Sequence, residues 1–154
     1  MPTLYITQNQ IAETLSHLQK GGQEGTECVV LWLGRNEGDH ISVQQVYRPE
    51  QWAEADIFRI PAPSMRAVMN TLVSNQLIIA AQVHSHPFEA FHSRADDAWA
   101  IVRHVDALSL VLPYFAMETQ PESFLDHMKA FQLSPANLWL EVPEAEVSKW
   151  LQIH

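Results

Sequence analysis

Residues 77–87, LIIAAQVHSHP, form an apolar run that ends in His84-Ser85-His86-Pro87. A run this apolar reads as a central strand covered on both faces, residues 77–84. Side chains two apart on a strand share a face, so His84 and His86 point the same way from its end. Pro87 has no N–H to give a sheet ladder, and the strand should stop there. The chain then loops through residues 87–92, and Ser93 opens a helix of about ten residues carrying Trp99 and Val102. Asp96 falls in its first turn, which brings a carboxylate toward the two imidazoles.

Upstream, residues 4–7 read as a short strand. Thr7 and Gln10 form a capping-box pattern, and Ile11, Leu15 and Leu18 follow at helical spacing, so a helix is expected over roughly 8–20, ended by Gly21, Gly22 and Gly25. Residues 27–35 (ECVVLWLGR) are rich in β-formers, 36–39 are turn-like, and 40–47 alternate as a half-buried strand; together they predict a hairpin. Residues 48–60 are less regular, with a further strand at 57–60. Residues 64–74 read as a helix with Met65, Val68, Met69 and Leu72 on one face. Downstream, 107–112 is another buried strand, 128–133 and 138–142 form a hairpin, and Pro143 opens a terminal helix containing Val147 and Leu151. Helices interspersed with short strands indicate an α/β or α+β sandwich around one mixed sheet, and with no repeat or linker the reading is one domain over residues 1–154.

The chain has 154 residues, 47% hydrophobic and 18% charged, enough for one core. No run of about 18 apolar residues exists, so no membrane span is expected. Residues 1–10 lack a basic-then-apolar pattern, so no secretory signal is expected, and the one cysteine, Cys28, excludes an internal disulfide framework. Both fit a cytoplasmic protein. A formal net charge of −9 argues against nucleic acid as a partner.

Two histidines and one carboxylate leave a tetrahedral position open for water, the pattern of a catalytic rather than a structural zinc site. Zinc lowers the pKa of bound water to about 7. A carboxylate must still take the proton and pass it to the leaving nitrogen, and a hydroxyl or amide must stabilise the oxyanion, a role Ser93 is placed to fill. Ser93-x-x-Asp96 is also a capping box, so the pair can start a helix as well as serve the site. Asp97 either complements the helix dipole or replaces Asp96 as ligand. His92 reads as a solvated loop residue or a substrate contact. Cys28 reads as core.

These residues resemble the JAMM (JAB/MPN/Mov34, or MPN-plus) metalloproteases: a glutamate on an early strand, then His-x-His-Pro, then Ser-x-x-Asp. Glu27-Cys-Val-Val-Leu-Trp-Leu-Gly34 matches the strand that follows the family's glutamate, which singles out Glu27 over Glu24, and His84, His86, Pro87, Ser93 and Asp96 follow in order. The loop from His86 to Ser93 is one residue shorter than in the familiar eukaryotic members, as in shorter bacterial ones, and Val30 stands where the family often has Gly. The resemblance implies a deaminase-like α-β-α sandwich and one Zn2+ per chain held by His84, His86 and Asp96. It implies Glu27 as general base and Ser93 as oxyanion donor. It implies hydrolysis of the amide or isopeptide bond at the C-terminus of a ubiquitin-like protein. It also implies bacterial settings with activating (E1-like) and conjugating (E2-like) partners, some in antiphage defence, or the trimming of a sulfur-carrier protein. Residues 48–60 and the segment after Pro113 are then expected to flank a substrate groove. Trp52, Phe58 and Phe115 are candidates to line it or to pack in the core.

Three rivals are weighed. A phosphoesterase that also uses His-x-His needs a much longer barrel-like chain and more metal ligands. A zinc nucleobase deaminase needs His-x-Glu with Pro-Cys-x-x-Cys, which one cysteine excludes. A metal-free MPN scaffold loses ligands, whereas this chain keeps all five motif residues.

Overall fold

The computed structural model describes residues 2–93, 96 and 100–154. β1 (Thr3–Ile6) leads into α1 (Gln8–Gln23), β2 (Val29–Asn36) and β3 (His40–Tyr47). A two-stranded pair follows, β4 (Trp52–Ala53) with β5 (Phe58–Arg59), then α2 (Ala62–Asn75) and β6 (Ile78–Ser85). The second half holds β7 (Leu108–Leu112), two short 3-10 turns (Tyr114–Ala116, Pro121–Ser123), α3 (Phe124–His127), β8 (Lys129–Leu133), β9 (Trp139–Val142), α4 (Glu144–Trp150) and β10 (Leu151–Ile153). The expected helix after Ser93 lies largely outside the described residues; Val102 is buried in irregular backbone.

One eight-stranded mixed sheet runs in the order β10-β1-β3-β2-β6-β7-β8-β9. β6 pairs antiparallel with β2 and parallel with β7. Alternation along the strands separates two faces. Val30, Trp32, Ala81, Val83 and Leu110 pack with Ile11, Leu15 and Leu18 of α1. Leu31 and Leu33 pack with Val68 of α2 on the other side. The architecture is thus a helix layer on each face of a mixed sheet, as the sequence predicts.

The sheet is strongly curled, and the chain's own connectivity shows why. A flat eight-stranded sheet would separate its edges by about 34 Å. Here the edge strands β9 and β10 are bridged by α4, seven residues long, which spans only about 10 Å. Leu151 therefore corrects the expected terminal helix: it opens β10, parallel to β1, with Leu4 opposite.

Two further expectations are corrected. The capping box at Thr7 forms, with Gln10 N–H donating to Thr7 Oγ1 at 3.1 Å and Thr7 N–H to Gln10 Oε1 at 3.0 Å. The helix it starts runs past Gly21 and Gly22 to Gln23, and Gly25 (φ +72°) turns the chain. On α2, Val68 is the buried apolar residue of the expected face, while Met69 is half exposed.

Gly22 has a packing reason to be glycine. Tyr114, Phe115 and Ala116 are all left-handed (φ 55°, 54° and 58°), a conformation that costs non-glycine residues roughly 1–2 kcal/mol each. The turn is held by Gln19 Nε2, which donates to Ala116 O at 2.9 Å, and by Phe115 against α1. A Cβ on Gly22 would lie 2.4 Å from Phe115 Cβ. Alanine favours helices by about 1 kcal/mol over glycine. Gly22→Ala is nonetheless expected to destabilise the chain by about 1–3 kcal/mol, the usual cost of overpacking. Urea denaturation checks this; a stabilised variant would show that Phe115 yields without cost.

Candidate metal centre

The sheet register assembles the site. Val29 on β2 is paired with His84 on β6, and Val111 on β7 flanks His84 on the other side. Just beyond, Ser85 sits between the two histidines, so its side chain faces the opposite way from theirs. It accepts the Cys28 N–H at 3.1 Å, while Ser85 N–H donates to Cys28 O at 3.1 Å. This pairing carries Glu27 past the end of β2 to the level of His86. The Gln51 side chain finishes the edge by pairing with both backbone groups of Val29 (2.8 and 2.9 Å). The backbone at His86 is fixed from β7 and the left-handed turn. His86 N–H donates to Leu112 O at 2.9 Å, Phe115 N–H to His86 O at 2.7 Å, and Tyr114 N–H to Phe88 O at 2.8 Å.

His84, His86 and Asp96 converge and all three are buried. Asp96 Oδ2 lies 2.9 Å from His86 Nε2, 3.1 Å from His84 Nε2 and 2.8 Å from Ser93 N. Asp96 N–H donates back to Ser93 Oγ at 3.0 Å, so the expected capping box forms and also delivers the carboxylate. Four donors on a tetrahedron with bonds of about 2.05 Å stand about 3.3 Å apart. The two distances from Asp96 are already close to that spacing, and all three donor atoms lie within 4.8 Å of one another. His84 is fully buried, yet neither of its ring nitrogens has a hydrogen-bond partner; Nε2 faces Asp96 outside hydrogen-bond geometry. An orphaned buried imidazole is costly unless something fills its coordination, and a cation between the three groups does so. The residues fit a metal ion.

No family model matches the chain. It is 32% identical to the probable metalloprotease y4jG of Sinorhizobium fredii, a match spanning 98% of this chain and 94% of that protein. The chain belongs to the family of this probable metalloprotease. Two solution structures share the fold. Protein DSY2949 of Desulfitobacterium hafniense has a TM-score of 0.72 at 18% identity, over 99% of this chain and 93% of that one. A protein of Salinibacter ruber has a TM-score of 0.58 at 17% identity, over 93% and 89%.

Beside the three donors, Glu27, Asp56, His86, Pro87, Phe88, Phe91 and Ser93 line a cleft of about 460 Å³. Glu27 is 2% exposed and its Oε1 has no partner. Burial, and then the charges of Asp96 and Asp56, push its carboxyl up to about 9. Asp96 behaves oppositely. Burial raises it, but the His84 and His86 imidazoles and the Ser93 N–H outweigh burial and hold it well below the usual carboxylate range. Two carboxyls in one site are thus driven apart, one ionised and one protonated while no cation stands between them.

Of the residues expected along the groove, Asp56 reaches the cleft, and Tyr114 and Phe115 brace the loop behind it. Phe58 is core, its ring 5.3 Å from that of His84. Phe115 packs on α1 as described above. Trp52 is half exposed beneath the Arg59 guanidinium. Phe88 and Phe91, not singled out in sequence, are exposed on the cleft wall, Phe91 edge-on to His86 at 4.5 Å. The solvated reading of His92 is corrected: its ring stacks on Trp139 at 4.8 Å and Phe131 at 5.2 Å. Cys28 is core, as expected. The alternative ligand Asp97 lies outside the described residues. Among the described residues, no helix is long and apolar enough to cross a membrane.

Proposed function

We propose that this chain is a zinc-dependent JAMM-type peptidase that cleaves the amide or isopeptide bond at the C-terminus of a ubiquitin-like protein. The observation that carries the reading is the meeting of two chemistries in one place. Three buried donors share a common centre, and Glu27 and Ser93 line the cleft that His86 also lines. His84, His86 and Asp96 would hold the ion. When bound, zinc acidifies water, polarises a carbonyl and favours the ionised form of a nearby carboxyl.

The remaining work falls to the chain itself. Glu27 takes a proton from the attacking water at its carboxylate and hands it to the leaving nitrogen, so that water adds to the carbonyl carbon as the C–N bond breaks. Ser93 Oγ already accepts the Asp96 N–H, which leaves its hydroxyl proton for the developing oxyanion. The cleft wall of Pro87, Phe88 and Phe91 excludes water and receives the chain on either side of the scissile bond. An extended tail is the substrate form proposed for this cleft beside a sheet end. The family resemblance adds the proposal of a place beside E1-like and E2-like conjugating proteins, or in sulfur-carrier trimming.

The test is to load the purified chain with zinc and measure stoichiometry. It is then assayed on ubiquitin-like proteins carrying a C-terminal peptide extension or an isopeptide-linked lysine, with a chelator control. One zinc per chain and chelator-sensitive cleavage are expected. Absence of stoichiometric zinc would make the chain a protein-binding scaffold. Ser93→Ala is expected to lower turnover about tenfold to a thousandfold with zinc retained. An unchanged rate in that variant would leave Ser93 only its capping role.

A further inference from the structure

The face of β6 that presents His84 also presents Gln82, two residues earlier, and the register sets Ser109 of β7 beside it. Both are completely buried. Polar side chains in the middle of a sheet are costly unless paired, and an apolar residue would serve packing as well at either position. Here they pair with each other and with both ends of one stretch of chain. Ile101 N–H donates to Gln82 Oε1 at 2.9 Å, which orients the amide so that its Nε2 donates to Ser109 Oγ at 2.9 Å. His92 Nε2 lies 3.1 Å from the same Oγ. The His92 ring is wedged against Trp139 and Phe131 and stands 6.0 Å from the ring of His84.

The stretch so tied, from His92 to Ile101, contains Ser93 and Asp96. Asp96 is the one member of the donor cluster that does not come from the β6 end. Its distance to the histidines therefore depends on how that stretch is seated on the sheet. We infer that Gln82, Ser109 and His92 form a latch that seats this stretch, making all three positioning residues for the metal centre. The inference rests on the metal reading above and adds three residues to it.

The test uses the full chain. Ser109→Ala removes the shared hydroxyl, His92→Phe keeps the ring contacts but loses the hydrogen bond to Ser109, and Ser109→Thr restores a hydroxyl. Zinc affinity is measured by competition with a chromogenic chelator, alongside the melting temperature of the zinc-free protein. Ser109→Ala and His92→Phe are each expected to weaken zinc binding about 10–100-fold, the usual effect of losing an outer contact to a metal site. The double variant should cost less than the sum of the two single ones, because the two share one bond. Ser109→Thr should recover most of the affinity. On a cleavable substrate, kcat should fall in the two weakened variants with KM unchanged. Unchanged zinc affinity with a lowered melting temperature would make the network mere packing and overturn the latch while leaving the metal centre intact. If the unmutated chain takes up no zinc, both readings fall.

Discussion

Glu27→Gln is expected to abolish hydrolysis while the chain still binds one zinc. Glutamine keeps the size and one oxygen of the side chain but cannot accept the water's proton, and a positioned base contributes about 10²–10⁴-fold. Glu27 lies in the cleft but outside the three-donor cluster, so the ion should remain. Loss of zinc in this variant, or full activity, would contradict the role. A second signature comes from pH. In the metal-free chain the Glu27 carboxyl is raised from 4.5 to about 9, chiefly by burial. The folded state thus holds a proton that the unfolded state releases. The resulting stability is fully present below about pH 4.5 and is lost as the pH climbs through 9. Glutamine has no such proton to lose. The zinc-free variant should therefore gain on the unmutated chain from pH 5 to 9 in denaturation experiments. Parallel stability profiles would mean that Glu27 is not held protonated in the fold.

How much of this was readable beforehand varied with the range of the interactions. Local signals carried far. Thr7 and Gln10 capped α1, the spacing of His84 and His86 put both on one face, and Ser93-x-x-Asp96 built the turn that delivers the carboxylate. Glu27 could not be placed by its own neighbourhood. Its seat depends on β2 pairing antiparallel with β6 and on Ser85 pairing with Cys28, contacts 57 residues apart in the chain. Only the family-like order of motifs pointed to it. β10 was illegible because Leu151 continues the helical spacing of Val147; its strand character comes from β1, at the other end of the chain. Gln82 and Ser109 were missed, and His92 was read as a solvated loop residue or a substrate contact, for a related reason. Each is a single polar residue among apolar or loop residues, with no periodicity of its own, and their meaning emerges only when register sets them together.

His84→Ala is expected to lose zinc and all turnover together, the largest effect of any single substitution here. The imidazole is fully buried at the end of β6 with both nitrogens unpartnered, so no solvent molecule at the surface can replace it as a donor. Removing one of three ligands should weaken binding by more than the roughly 10–100-fold that outer contacts cost. Stability without metal should respond more mildly. Truncating a buried side chain of this size costs about 2–5 kcal/mol, but the change also deletes Nδ1, a buried polar atom without a partner, worth about 1–3 kcal/mol. The decisive readout is therefore the melting temperature with and without zinc. Ligand binding stabilises only the state that binds, so the unmutated chain should melt higher as zinc is added and His84→Ala should not. Asp96→Asn isolates the charge. An amide oxygen can still accept the Ser93 N–H and keep the helix start, but the anion that both imidazoles face is gone. It too should lose the zinc-dependent rise in melting temperature. Were either variant to keep that rise, the ion would have to be held by other residues, and the centre built on β6 would not be the one that works.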